Sequence, residues 1–118
     1  MRSAVPKRAE DPSCEHDLEV ESEFSALELD RAASLFRALG DSERLRLLEL
    51  LAHQERCVSE LAGAVAAGLS TVSQRLKVLR AEQLITRRRA GKHIYYSLAD
   101  EHIKRLVRNA LEHVSHKT

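Results

Sequence analysis

The stretch VSELAGAVAAGLSTVSQRLKVLR, residues 58–80, predicts two short helices joined by a tight turn. The first helix is predicted at 58–66, with Ser59 as its cap. The turn follows at 67–69, and Ser70 is predicted to cap a second helix that runs to about residue 83. Two short helices around a glycine-bearing turn of three or four residues form a helix-turn-helix unit.

The second helix of this unit has an apolar face and a polar face. Leu69, Val72, Leu76 and Leu79 recur at about 100° per residue and are predicted to pack on the core. The remaining positions carry hydroxyl, amide and cationic side chains, which hydrogen bond to base edges and phosphates in DNA. The predicted DNA-contacting residues of this helix are Ser70, Thr71, Ser73, Gln74, Arg75, Lys77 and Arg80.

A β-hairpin is predicted after the helix pair. The apolar period changes from about 3.6 to 2 in two runs, 84–89 and 92–98, around the dipeptide Ala90-Gly91. Cations at a hairpin tip are suited to lie along phosphates or in a minor groove, so the hairpin is interpreted as a DNA-binding wing. The alternative is an ordinary helical core with a hairpin that is basic by chance. The cationic residues of the tip are Arg87, Arg88, Arg89, Lys92 and His93.

Upstream of this unit the sequence predicts two further helices behind an acidic leader. The first begins near Leu27 and carries an apolar face of Leu29, Ala32, Ala33, Phe36 and Leu39. The second is capped by Asp41 or Ser42. Residues 1–30 contain three Lys or Arg and nine Asp or Glu, whereas the rest of the chain has a net charge of +7. We predict a flexible acidic arm at 1–25 and one domain at 26–118.

Composition limits the class of protein. The 118 residues suffice for one domain, and no apolar run approaches the roughly 18 residues of a membrane span. Two cysteines are too few for a disulfide framework, and residues 1–20 do not resemble a signal peptide. These features predict a cytoplasmic protein without a membrane partner. With 3% aromatic residues, a small core is expected to be completed by formation of a homodimer.

Three segments resemble the ArsR/SmtB family of bacterial metal-responsive repressors: the second helix of the unit at 69–80, the segment ALGDSERLRLL at 38–48, and the segment GKHIYYSL at 91–98. The similarity covers about residues 29–118. It implies a mainly α fold with a β-hairpin, a winged helix-turn-helix, in a homodimer that binds an inverted repeat in double-stranded operator DNA. The sequence departs from the family at Arg75, where His is frequent, and at Gln83, where Gly is common.

The last predicted helix, from Asp100 to about Ser115, carries a set of potential metal ligands. Its apolar residues span a stripe about 140° wide, and His102, His113 and His116 fall on one edge of that stripe. His102 and His113 are separated by about 16 Å along the axis, too far for one zinc ion, whose ligands lie about 2 Å from the metal. An antiparallel second copy would bring its His113 and His116 to Asp100 and His102 of the first.

Two equivalent sites per dimer follow, and each would have one carboxylate and three imidazoles. Zn²⁺ suits this set, and Co²⁺, Cd²⁺ and Ni²⁺ are the other candidate metals. The pattern Asp-x-His, ten residues, His-x-x-His is also similar to the sensing site of the zinc-responsive branch of the family. The alternative is that Asp100 only caps the helix and the histidines are ordinary surface residues.

A second metal site is a weaker prediction. Family members that sense thiophilic metals resemble this chain around Cys57 but typically place a second cysteine at position 59, which is Ser here. Some zinc sensors instead combine one Cys with an acid three residues later, which matches Cys57 and Glu60, and Cys14 and His16 could complete that set. The alternative is that Cys57 is a small buried hydrophobe.

The resulting interpretation is a repressor whose metal-free dimer binds the operator. Metal bound between the two last helices is expected to lower DNA affinity and so release, by resemblance, genes of metal efflux or sequestration. One alternative is a repressor that senses a thiophilic metal or redox state through Cys14 and Cys57. A zinc hydrolase is disfavoured because four ligands leave no open coordination position and no HExxH motif is present. A protein-interaction module is the remaining alternative.

Overall fold

The computed structural model describes residues 21–115, and within them five helices surround a small sheet. The strands are antiparallel in the order β1-β3-β2. This is the predicted winged helix-turn-helix fold, in which α3 and α4 form the helix pair and β2 and β3 form the wing. Cys14, His16 and His116 lie outside the described residues. The elements are α1 (Ala26–Leu39), α2 (Ser42–His53), β1 (Arg56–Cys57), α3 (Val58–Val65), α4 (Leu69–Ala81), β2 (Ile85–Ala90), β3 (His93–Leu98) and α5 (Glu101–Val114).

The helix starts follow from local capping. Ser25 and Glu28 form a capping box at α1, with hydrogen bonds of 3.0 and 2.9 Å between each side chain and the other residue's backbone N–H. Asp41 accepts a 3.0 Å bond from the Arg44 N–H and caps α2, as predicted. Asp100 caps α5 in the same way.

The caps predicted for α3 and α4 are each wrong by two residues. Helix α3 begins at Val58, because Cys57 ends the short strand β1 and its extended backbone already occupies the cap position. Ser59 therefore lies inside the helix. Helix α4 begins at Leu69 after Gly68, so Ser70 lies in the first turn. Strand β1 was not predicted, since two residues carry no detectable alternation.

The core is built by α2, α3, α4, the wing and α5. Val72, Leu76 and Leu79 of α4 are buried as predicted, but Leu69 is 57% exposed because the first residue of α4 projects past the edge of the core. The other fully buried large side chains are Leu47, Leu48, Leu61, Leu84 and Val107. None of the helices in residues 21–115 is long and apolar enough to cross a membrane.

Helix α1 is attached near its C-terminal end, through Ala38, the partly buried Leu35 and Leu39, and polar contacts. Of its residues only Ala38 is fully buried. Arg44 of α2 donates through Nε to the Ala38 carbonyl at 2.8 Å and through Nη2 to the Arg37 carbonyl at 3.2 Å. The Ala38 carbonyl is one of the last four of α1, which have no partner within the helix, and the Arg37 carbonyl also accepts the Gly40 N–H at 3.2 Å. The apolar face predicted for α1 is therefore largely open in the single chain.

The wing turn lies one residue later than predicted. Ala90 pairs with His93 in the ladder, so the turn residues are Gly91 and Lys92 rather than Ala90 and Gly91. Gly91 has φ +66°, in the left-handed region that glycine occupies without steric cost. Because glycine is the first turn residue rather than the second, strand β2 and the start of β3 lie one residue later than predicted.

Gln83 also adopts a left-handed backbone, with φ +60°, at the end of α4. The next N–H, from Leu84, bonds back to the Leu79 carbonyl at 3.0 Å and closes the helix. We expect Gln83→Gly to stabilise the protein by about 0.5–1 kcal/mol, because the side chain disfavours this conformation. Urea unfolding monitored by circular dichroism measures the effect.

Lys77→Gly is the control for this prediction. Lys77 lies exposed in the middle of α4, where glycine is expected to destabilise by about 1 kcal/mol. A Gln83→Gly variant that is less stable than the parent would contradict the assignment of strain to this residue.

Candidate nucleic-acid interface and metal-binding residues

Helix α4 presents a continuous polar surface opposite its buried face. No acidic residue occurs in Leu69–Ala81, so nothing on the helix itself repels a phosphate backbone. Because three residues anchor the other face in the core, the helix is held rigidly while the polar surface remains free. The predicted DNA-contacting residues that are exposed on α4 are Ser70, Thr71, Ser73, Gln74, Lys77 and Arg80.

Arg75 lies apart from this exposed set. Its side chain is only 26% exposed, and its Nη1 lies 3.7 Å from Oε1 of Glu43 in the first turn of α2. The structure therefore places Arg75 at the junction of α2 and α4. Glu43 was missed in the sequence because nothing in the helix pattern links residues 32 positions apart.

The three arginines of the wing do not share one face. Cross-strand partners lie on the same face of a sheet, and Arg87 and Arg89 pair with Tyr96 and Ile94 of β3. Arg88 lies on the opposite face. The alternation of side chains along a strand predicts this separation, although the sequence interpretation grouped all three.

Arg88 is held by two partners from other parts of the chain. Its Nε donates to Glu55 Oε2 at 3.1 Å and its Nη2 donates to Glu55 Oε1, so the pair is bidentate. The guanidinium carbon lies 5.2 Å from the centroid of the Tyr95 ring, within range of a cation–π interaction. The hydrogen bonds from Arg88 lower the pKa of Glu55, and the same contact raises the pKa of Arg88. Both groups are therefore charged throughout the neutral range.

At the wing tip Lys92 and His93 are exposed, as predicted for groups that approach DNA. The His93 ring lies 6.1 Å from the Tyr95 ring in a tilted arrangement. His93 thus belongs to the face that carries Arg88 in the strand alternation, whereas the turn residue Lys92 extends from the end of the hairpin.

A surface groove connects the end of α4, the wing and the start of α5. Two candidate DNA contacts, Arg80 and Arg87, and one candidate metal ligand, Asp100, line this groove. The remaining lining residues are Gln83, Ile85, Thr86 and Ala99.

The start of α5 places two candidate metal ligands together. Asp100 Oδ1 accepts the Ile103 N–H at 3.0 Å and lies 3.7 Å from His102 Nδ1. Both side chains are open to solvent, at 55% and 83% exposure. His113 is exposed in the last turn of the same helix. A carboxylate and an imidazole that converge and are accessible fit one half of a tetrahedral zinc site.

A single chain does not complete such a site within residues 21–115. No three His, Cys, Asp or Glu side chains in this part of the chain come close enough to hold one ion. His102 and His113 lie on the same helix eleven residues apart, about 16 Å along its axis. Any site that uses both histidines of this helix must therefore combine more than one copy.

Of the second candidate metal site, only Cys57 and Glu60 lie within the described residues. Cys57 is half-buried with its Sγ 3.3 Å from Ser59 Oγ, and Glu60 Oε1 accepts the Cys57 N–H at 3.0 Å. The Glu60 carboxylate thus already serves the start of α3. A metal at Cys57 and Glu60 would use the other carboxylate oxygen.

Apolar side chains remain exposed on α1 and α5. Leu29 and Phe36 of α1 are 56% and 57% exposed, and Val114 of α5 is 75% exposed. Leu29 and Phe36 lie on the side of α1 away from Ala38 at 100° per residue. Large open side chains on two helices of one small domain indicate an interaction surface.

Comparisons with known proteins agree with this fold and surface. Residues 41–87 match the family model described as bacterial regulatory protein, arsR family. The chain is 45% identical over 91 residues to a transcriptional repressor SmtB homolog of Synechocystis sp., covering 75% of this chain and 69% of that protein. It is 37% identical over 82 residues to a cadmium resistance transcriptional regulatory protein CadC homolog of Staphylococcus aureus, covering 69% and 68%.

A solved structure is similar over most of the domain. The homodimeric winged helix-turn-helix DNA-binding domain from Mycobacterium bovis, determined by NMR, is 36% identical with a TM-score of 0.72. The similarity covers 85% of this chain and 96% of that domain. At this identity the likeness extends to sequence as well as to the path of the backbone.

Proposed function

Because this chain belongs to the ArsR family of bacterial regulatory proteins, we propose that it is a homodimeric transcriptional repressor that zinc releases from its operator. The observation that carries the zinc assignment is the pair of Asp100 and His102, 3.7 Å apart and open to solvent at the start of α5. The family consists of transcriptional regulators, which excludes the zinc hydrolase considered from the sequence.

DNA binding is assigned to α4 and the wing. The exposed hydroxyl, amide and cationic groups of α4 suit base edges and phosphates in a major groove. Arg87 and Lys92 extend the basic surface from α4 to the wing, where phosphates of the flanking DNA would lie. An operator with two half-sites about one helical turn apart fits a dimer with two such helices.

The dimer is assigned to α1 and α5. The open apolar side chains of these helices, Phe36 and Val114 among them, support burial against a second copy. The homodimeric state of the similar Mycobacterium bovis domain supports the same assignment. A two-fold axis makes the interface self-complementary, and an axis perpendicular to α5 pairs each α5 with an α5 running in the opposite direction, as the metal site requires.

Each metal site is assigned to Asp100 and His102 of one protomer with His113 and His116 of the other. When bound, the metal would supply a fixed link between the two helices. The ligand set of one carboxylate and three imidazoles favours Zn²⁺, while Co²⁺, Cd²⁺ and Ni²⁺ are outcomes that a metal titration separates. A cadmium resistance regulator among the relatives supports a metal ion as the signal.

The shared groove supports a route from the metal site to the DNA surface. Asp100 lines the same groove as Arg80 of α4 and Arg87 of the wing. A change in the position of Asp100 therefore acts beside two of the cations assigned to phosphates. In thermodynamic terms, a metal that binds the DNA-free state more tightly shifts the population away from the operator complex.

The test is an operator titration with and without zinc. A duplex carrying an inverted repeat, selected from a randomised pool with metal-free protein, is titrated by fluorescence anisotropy. We expect zinc to weaken binding by about 5- to 150-fold, the range of typical coupling free energies. Chelation with EDTA is expected to restore the affinity, and an affinity unchanged by zinc would refute the proposal.

A repressor that senses through Cys14 and Cys57 is the second candidate. The half-exposed thiol of Cys57 supports it. Glu60 uses one carboxylate oxygen to cap α3, as Asp100 does at α5, so both carboxylates keep a second oxygen for a metal. A zinc response that persists after both Asp100 and His102 are replaced would favour this candidate.

A further inference from the structure

The contact of Arg88 with Glu55 and Tyr95, called the clamp below, separates this arginine from its neighbours in the wing. We propose that Arg88 is a positioning residue that ties the wing to the body of the domain, and that Arg87 and Arg89 rather than Arg88 contact DNA phosphates. The proposal rests on the DNA-binding part of the proposed function and is independent of the metal.

The clamp crosses the whole sheet. Arg88 of β2 pairs with Tyr95 of the central strand β3, and Tyr95 also pairs with Cys57 of β1. Glu55 lies immediately before β1. The ion pair therefore joins the outer strand of the wing to the chain that enters β1, across the ring of Tyr95.

This connection matters for the outer part of the hairpin, because the base is already held by Ile85 and Tyr96, which are buried in the core. Strand β1 has only two residues, so its ladder with β3 is short. Beyond this ladder the hairpin extends as a two-stranded ribbon, and such a ribbon is marginally stable in water on its own. A bidentate contact across three strands restricts the tilt of the ribbon relative to α4.

Arg88 is also poorly placed to bind phosphate. Two of its nitrogens donate to the two carboxylate oxygens of Glu55, and the face of the guanidinium lies over Tyr95. The guanidinium keeps three further N–H donors, but the adjacent Glu55 carboxylate neutralises its charge and repels a phosphate. Arg87 lies on the other face of the sheet and lines the same groove as Arg80 of α4.

The first test is the salt dependence of binding to a random-sequence duplex in EDTA. Each lost phosphate contact reduces the slope of log K against log salt by about 0.9. We expect this reduction for Arg87→Gln and for Arg89→Gln. For Arg88→Gln and Glu55→Gln we expect an unchanged slope and a similar loss of affinity, about fivefold at most for an exposed ion pair.

The second test follows amide hydrogen exchange in the free protein. Amides of β2 and β3 are expected to exchange faster in Arg88→Gln and Glu55→Gln, and at the parent rate in Arg87→Gln and Arg89→Gln. The charge-reversed double variant Glu55→Arg with Arg88→Glu is expected to recover protection and affinity, because the ion pair is restored with opposite sense.

Three results would overturn the proposal. A slope reduced by about 0.9 in Arg88→Gln would make Arg88 a phosphate contact. A steeper slope with tighter binding in Glu55→Gln would make Glu55 a competitor for a DNA-binding arginine. Unchanged hydrogen exchange in both clamp variants would remove the positioning role. Absence of DNA binding by the parent would instead contradict the proposed function, and hydrogen exchange would still decide whether the clamp holds the wing.

Discussion

A mixed dimer of two protomers that carry different ligand substitutions is expected to bind one zinc ion. The homodimer of either variant is expected to bind none at the same concentration. One protomer carries Asp100→Asn and His102→Gln, and the other carries His113→Gln and His116→Gln. If each site combines the start of one α5 with the end of the other, one of the two sites in the mixed dimer is intact and the other lacks every ligand.

The expected loss of zinc affinity in the two variant homodimers is large. Loss of an outer-shell partner alone costs about 10- to 100-fold in metal affinity, so loss of two direct ligands is expected to cost at least about 100-fold. Asp100→Asn keeps an amide oxygen that can accept the Ile103 N–H, so the cap of α5 is preserved while the charge is removed. The change therefore tests coordination rather than helix stability.

Co-expression with two different affinity tags yields the mixed dimer, and competition with a chromophoric chelator gives its zinc stoichiometry. His53→Gln is the control, because His53 is exposed at the end of α2 and is not one of the assigned ligands. This variant is expected to bind zinc as the parent does. A mixed dimer that binds no zinc would exclude the intersubunit site. Full zinc binding by both variant homodimers would assign the sensing site to Cys57 instead.

Phe36→Glu is expected to dissociate the dimer. Phe36 is 57% exposed in the single chain, and burial of a Phe side chain contributes about 1.5–3 kcal/mol. A two-fold interface buries two copies, so removal of the exposed share is expected to cost about 2–3 kcal/mol, which is about 20- to 300-fold in the dimer dissociation constant. Two glutamates placed in the interface weaken association further.

Sedimentation equilibrium measures this effect. Leu69→Glu is the matched control, since Leu69 is also 57% exposed but lies on α4, outside the surface assigned to the dimer. The control is expected to remain dimeric, and circular dichroism should show the parent's helix content in both variants. A Phe36→Glu protein that stays dimeric would place the interface elsewhere.

Buried helix faces and helix caps are the features that short-range sequence patterns predict. The period of Val72, Leu76 and Leu79 predicts a buried face because burial of one helix face is a local, periodic property. The same holds for the caps at Asp41 and Asp100, where a side chain reaches the backbone three residues later. Helix-turn-helix, wing and α5 all follow from signals of this short range.

Contacts between segments that are far apart in the sequence could not be predicted from such local patterns. Glu55 meets Arg88 at a separation of 33 residues, and Glu43 approaches Arg75 over 32. The caps of α3 and α4 also lie two residues before the predicted serines, because the strand at Cys57 and the glycine at position 68 set backbone geometry that periodicity does not report.

The sequence by itself thus determined the order of elements, the family resemblance and the candidate ligands on α5, since each depends on residues within a few turns of one another. Only the tertiary structure decided which wing arginine is bound by a carboxylate and that Asp100 shares a groove with Arg80 and Arg87. The physical reason is that side-chain pairing depends on how separately formed elements pack, and packing brings together residues that no local period connects.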